Sequence, residues 1–204
     1  MNITAVTIGI NEPYLTYARK GCEQIEKLLN IESRIITEDF LHLGVGAHEQ
    51  EKIWSLKFNI FDIFPDIETV MYFDVDWRPL QKFNILDYCP DIDKIYFTPD
   101  RSEYWFVQEL EKKYDLLSGT YVNAGWFVIN KQYKDLLDYC KHNLVFFDRS
   151  FYGDQCVINQ VFKNRITLAD RCLNVLDMNA FPYNKILGLH NSTENYKFYN
   201  NINE

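Results

Sequence analysis

Thr69-Val70-Met71-Tyr72-Phe73-Asp74-Val75-Asp76 is the stretch on which the reading of this chain turns. Residues 69–73 form a short strand of β-branched, apolar and aromatic side chains, and the run ends in two aspartates. Residues two apart on an extended chain project to the same side, so Asp74 and Asp76 can meet one cation. They stand just past the C-terminal end of a buried strand, the edge where open α/β sheets bind ligands. Two hard carboxylate ligands suit Mn²⁺ or Mg²⁺, which complete their shells with water and substrate phosphates. The plainer possibility for an Asp-x-Asp is a solvated or turn-forming pair. The apolar strand directly ahead of it favours metal.

Working outward, residues 3–10 are a β-branched apolar run closed by Gly9 and Asn11, and they read as a buried strand. Residues 14–30 carry helical spacing, entered at Pro13. Further strands are expected at 31–36, 94–98 and 121–130, and helices at 49–64, 131–141 and 154–163, with a flexible loop over 42–48. Strands alternate with helices through the first half, which gives the α/β class: a mostly parallel central sheet flanked by helices. The length fits one domain over 1–204, with a polar tail from 191. No internal repeat, low-complexity tract or linker is visible.

Twenty-nine acidic against twenty-one basic residues leave a net charge of −8. That argues against nucleic acid as a partner and against unaided binding to anionic membranes. A negative protein can still hold a negative nucleotide if a divalent cation bridges them. The N-terminus has no signal-peptide pattern, and no apolar run approaches the length of a transmembrane segment. Five scattered cysteines without a CxxC pair indicate neither a zinc site nor a disulfide framework, and a cytoplasmic location is expected. Cys140 and Cys156, in helical stretches, read as small buried apolar groups.

One rival chemistry shares the Asp-x-Asp. Haloacid-dehalogenase phosphohydrolases place it after an apolar strand near the N-terminus, followed by a Thr or Val. Here Arg78 stands at that place and the motif lies well inside the chain.

Four blocks in order carry a resemblance. They are Lys57-Phe58-Asn59-Ile60-Phe61-Asp62-Ile63-Phe64-Pro65 with Tyr72-Phe73-Asp74-Val75-Asp76; Tyr121-Val122-Asn123-Ala124-Gly125-Trp126-Phe127-Val128-Ile129-Asn130; Asp154-Gln155-Cys156-Val157-Ile158-Asn159; and Gly188-Leu189-His190. With them the chain resembles the GT-A-fold glycosyltransferases, in particular family 8, and short virus-encoded enzymes such as those of chloroviruses. The resemblance implies a metal-dependent transfer of a hexose or deoxyhexose from a UDP-sugar to a hydroxyl of a carbohydrate or glycoprotein acceptor. Retention of anomeric configuration is favoured, and the cytoplasm would be the host's if the enzyme is viral. It also implies a mainly nucleotide-binding half, 1–100, and a mainly sugar and acceptor half, 101–204. Asp74, Asp76 and His190 would hold the metal. Tyr14 would stack on uracil, and Lys57, where the family usually carries Arg, would face the diphosphate. Asn123 and Gly125 would wall the donor pocket, and Asp154 and Gln155 would sit beside the transferred sugar. After His190 the family's Gly-x-x-Lys-Pro-Trp run is missing, so no phosphate role passes to Lys197.

Each residue also has a bland reading. Tyr14 can pack under the first helix, Lys57 can be solvated, and His190 can be a surface histidine. Gly125 can mark a bulge, and Asp154 can be a helix N-cap. An inverting enzyme would need a base, for which Asp100 or Asp154 could serve. A non-catalytic nucleotide-sugar or carbohydrate-binding module would keep the Asp-x-Asp without needing Asp154-Gln155.

Overall fold

The computed structural model describes residues 3–144, 153–177 and 182–190. Lys197 and the tail over 191–204 lie outside them. Strands β1 (Ile3–Ile8), β2 (Ser33–Ile36), β3 (Thr69–Phe73), β5 (Ile95–Pro99), β6 (Val122–Asn130) and β7 (Ile166–Leu168) form one six-stranded sheet. Its spatial order is β2-β1-β3-β6-β5-β7. The β1–β2, β1–β3 and β5–β7 pairs are parallel, and only β6 runs against its neighbours. This is the mostly parallel α/β sheet expected. Because β6 is reversed, its beginning lies at the same edge as the ends of β1, β3 and β5.

The period-two alternation of the strands divides the core between the two faces. On β3, Val70 and Tyr72 join one cluster with Leu56, Phe61, Leu137 and Phe162, which belong to the helical segments covering that face. Met71 and Phe73 join the other, with Cys22 and Ile25 of α1 (Tyr14–Leu29). On β6 the alternation slips. Val122, Ala124, Phe127 and Ile129 face the first cluster, whereas Trp126 and Val128 face the second. The register against β5 jumps from Phe97↔Phe127 to Pro99↔Val122, so extra β6 residues bulge out around Gly125.

Helix α2 (Glu49–Leu56) does not run on to Phe64 as expected. It tightens into a 3₁₀ turn at Lys57–Asn59 before the single turn α3 (Ile60–Ile63). All three residues of that turn are buried, and the Asn59 amide donates to the Leu43 and Ser55 carbonyls. The helix expected from 131 likewise starts as a 3₁₀ turn, Lys131–Tyr133, capped by the Asn130 side chain. It becomes α5 over Lys134–Asn143.

Four elements were not anticipated: α4 (Trp105–Lys113), strand β7, and the two strands β4 (Trp77–Pro79) and β8 (Gly188–His190). The last two pair antiparallel as a small second sheet. Gly188 makes that pairing possible, because a Cβ there would lie 2.2 Å from the Leu173 carbonyl and 2.4 Å from the Trp77 ring.

Helix α6 (Gly153–Phe162) is fastened to β6 through Asn159. Its carbonyl oxygen accepts from Val122 N–H at 2.8 Å and its amide donates to Val122 C=O at 2.9 Å. The side chain thus replaces a strand neighbour. All five cysteines are unpaired, and Cys140 and Cys156 are buried in α5 and α6 as expected. No helix among the described residues is long and apolar enough to cross a membrane. Asn159→Ala would orphan both buried Val122 groups, at about 1–3 kcal/mol each. Urea unfolding should show a loss of about 2–6 kcal/mol in stability, with an unchanged dependence on denaturant.

Candidate functional site

At the shared strand edge lies a cleft of about 500 Å³. It is lined by every site residue singled out from the sequence: Tyr14, Lys57, Asp74, Asp76, Asn123, Gly125, Asp154, Gln155 and His190.

Asp74 and Asp76 occupy the turn between β3 and β4. Asp74 N–H donates to Gly125 O at 2.8 Å, which fixes the first aspartate to β6. The turn continues into β4, where Trp77 pairs with His190 on β8. That ladder is what carries a distant histidine to the aspartates. His190 Nε2 lies 3.2 Å from Asp76 Oδ1 and 3.7 Å from Asp74 Oδ2. Among the described residues, ligand atoms of these three side chains lie within 4.8 Å of one another, compact enough for one metal ion. Gly125 leaves the space, since a Cβ there would stand 2.1 Å from His190 Cε1 and 2.6 Å from Asp74 Oδ2. The other ring nitrogen, Nδ1, is buried with no hydrogen-bond partner among the described residues. Two carboxylates and an imidazole suit Mn²⁺ or Mg²⁺, so the residues fit the cation the resemblance implies. Burial pulls the His190 imidazole down, but Asp76 and Asp74 outweigh it and hold it above its ordinary value. A metal at Nε2 would displace that proton.

Arg78 steadies the turn from behind. Its buried guanidinium donates to Val75 O at 2.7 Å and to Tyr17 O at 2.6 Å, joining the Asp74–Asp76 turn to α1.

Lys57 is not solvated. It is 3% exposed; its ammonium donates to Asp154 Oδ2 and to Ala124 O and lies 3.6 Å from Asp74 Oδ1. Burial works against the charge, and Asp154 and Asp74 more than offset it, so Lys57 is held above the ordinary lysine value. Asp154 sits in the first turn of α6, and its carboxylate goes to Lys57.

Gln155 is fixed on two sides. Its Oε1 accepts from Asn123 Nδ2 and Ala124 N–H, both at 3.1 Å, and its Nε2 donates to Asp100 Oδ2 at 2.8 Å. Asn123 Oδ1 in turn accepts from Gly125 N–H and from Asn174 Nδ2, which also donates to Thr98. The bulge in β6 therefore serves a site: it turns Asn123 and Ala124 into the cleft. Tyr14 opens α1 at the cleft and is 53% exposed as a residue.

Two residues of this site were missed. Tyr72 donates its hydroxyl to Asp74 Oδ1 at 2.7 Å, and its place two before Asp74 already put both on one side of the strand. Asn174 comes from an irregular segment and carries no comparable signal.

No family model matches the chain, and neither does any curated protein sequence. Solved structures do. The galactosyltransferase LgtC, in complex with donor and acceptor sugar analogues, matches with a TM-score of 0.63 at 17% identity, over 94% of this chain and 87% of that one. A glycosyltransferase involved in glycosylation of the major capsid of PBCV-1 matches at 0.67 and 16%, over the whole of both chains. The bifunctional glycosyltransferase WbbM matches at 0.67 and 14%, over 93% of this chain but only 45% of its own length. The fold is GT-A. At such identities the likeness is one of fold, and the chemistry rests on the cleft.

Gly125→Ala should push His190 and Asp74 apart while leaving the sheet paired. Calorimetric titration should find Mn²⁺ affinity at least about tenfold weaker, the range typical of disturbed ligand support.

Proposed function

We propose that this GT-A chain is a metal-dependent glycosyltransferase that moves a hexose or deoxyhexose from a UDP-sugar to a hydroxyl of a carbohydrate or glycoprotein acceptor. The observation that carries the reading is the meeting, in one cleft, of Asp74, Asp76 and His190 with Asp154 and Gln155. A binding module needs the first group only.

Asp74, Asp76 and His190 would hold Mn²⁺ or Mg²⁺, which when bound supplies Lewis-acid neutralisation of a departing diphosphate. The strand order supports a layout for the donor. Tyr14 follows β1, the aspartates follow β3, and Asn123 and Gly125 belong to β6, the next strand across. A nucleotide-sugar laid along that edge would meet the Tyr14 ring with its uracil and the β6–α6 side with its sugar. The halves 1–100 and 101–204 then divide nucleotide from sugar and acceptor. Neighbouring strands lie about 4.8 Å apart, so the span suits an extended diphosphate-linked ligand.

Asp154, paired with Lys57, would face the positive charge that grows on the anomeric carbon as the bond to phosphate breaks. Gln155, fixed by Asn123 and Asp100, keeps one amide hydrogen for a sugar oxygen. The family 8 resemblance favours retention, which requires no dedicated base. Asp154, or Asp100, which is buried and hydrogen-bonded to Gln155, would supply the carboxylate for an inverting route. The unpaired cysteines agree with work in the cytoplasm.

The test is UDP release across a panel of UDP-sugars with Mn²⁺. At least one donor should be turned over, with activity lost to chelation and in Asp76→Asn. UDP that binds with metal and is never released from any sugar would mark a binding module instead. Asp154→Asn should lower turnover roughly a hundredfold, about 2.7 kcal/mol of transition-state stabilisation, with UDP affinity little changed. Near-normal turnover in Asp154→Asn would remove Asp154 from the chemistry. The same variant leaves Lys57 with Asp74 as its one carboxylate neighbour among the described residues, so its melting temperature should be recorded alongside.

A further inference from the structure

We infer that Tyr72 is a positioning residue for the metal centre: its hydroxyl pins one oxygen of Asp74 so that the other is presented to the ion. The inference rests on Asp74, Asp76 and His190 being the metal ligands.

The two oxygens of Asp74 have separate surroundings. Oδ1 accepts from the Tyr72 hydroxyl at 2.7 Å and lies 3.6 Å from the Lys57 ammonium. Oδ2 lies 3.7 Å from His190 Nε2, on the side that Gly125 keeps open. A carboxylate held by a donor on one oxygen cannot rotate freely, and such outer hydrogen bonds commonly set metal affinity.

The Tyr72 ring is itself fixed. It is buried, stacked on Phe127 with centroids 4.9 Å apart, and the Lys57 ammonium lies over the ring at 4.9 Å from its centroid. Tyr72 belongs to strand β3, whose pairing with β1 and β6 leaves the backbone no slack. A side chain so constrained delivers its hydroxyl to one place. Packing alone would be served equally by phenylalanine, as at the neighbouring Phe127, so the hydroxyl is the informative atom.

The test is Tyr72→Phe, which keeps the ring and removes the hydroxyl. Mn²⁺ binding to wild type and variant is measured by electron paramagnetic resonance of the free ion, without nucleotide. The expected result is an affinity about tenfold weaker. UDP-sugar turnover should return toward the wild-type rate at saturating Mn²⁺, which a general structural defect would not allow. Tyr96→Phe is the control, since it removes a buried hydroxyl that accepts from Asp91 N–H, away from the cleft. Its Mn²⁺ affinity should equal that of wild type. Metal-free melting of each variant checks that both fold. Equal Mn²⁺ affinity in wild type and Tyr72→Phe overturns the inference and leaves the metal centre standing. A wild type that binds no Mn²⁺ overturns the metal centre and the inference together.

Discussion

The Lys57 ammonium, buried between Asp154 and Asp74, is the group around which the cleft is organised. Taking an ammonium and a carboxylate out of water costs several kcal/mol per ion even after relaxation. Close carboxylates and a backbone carbonyl offset that cost without making the arrangement a net source of stability. What the arrangement does give is position. It joins the turn after α2, the end of β3 and the start of α6, three elements that no local hydrogen bond would otherwise bring together. The 3₁₀ tightening at Lys57–Asn59 belongs to the same constraint, because it carries Lys57 inward and Asn59 onto the Leu43 and Ser55 carbonyls.

Around that pair the site is rigid because its amides are shared. Gln155 and Asn123 each give and receive, and Asn174 gives to both Asn123 and Thr98, in a chain that begins at Asp100. Gln155 and Asn123, whose oxygens and amide groups are both engaged, are held to one arrangement, while Asn174 Oδ1 is buried without a partner among the described residues. The β6 bulge makes the chain possible by turning Asn123 and Ala124 toward the cleft while Trp126 stays in the far core.

The sequence made some of this legible and concealed the rest for definite reasons. β3 and its aspartates were readable because pattern and motif are contiguous, and β1, α1 and β6 because their periods are long. β4 and β8 were not. Each has three residues, one contains Pro79, and their pairing depends on Gly188 yielding to the Trp77 ring. α4 buries only Val107, Leu110 and Glu111, a face too thin to announce itself. Without the resemblance, which set it facing the diphosphate, Lys57 read as an ordinary solvent lysine, since the group that explains its burial, Asp154, lies 97 residues away. Asp154 read equally well as a cap, and its carboxylate instead goes to that lysine. His190 drew attention only through resemblance. Its meeting with the aspartates is a property of the β4–β8 ladder, which nothing in Gly188-Leu189-His190 alone predicts.

That ladder has a consequence for the molecule as a whole. Asp76 and His190 are separated by more than half of the chain, and the contact between them spans the enclosed polypeptide like a clasp. An ion held there is a removable crosslink. By linkage, a cation that binds the folded form alone raises its stability with the logarithm of free concentration. A divalent ion bound there would fasten the late segment Gly188–His190, and chelation would unfasten it.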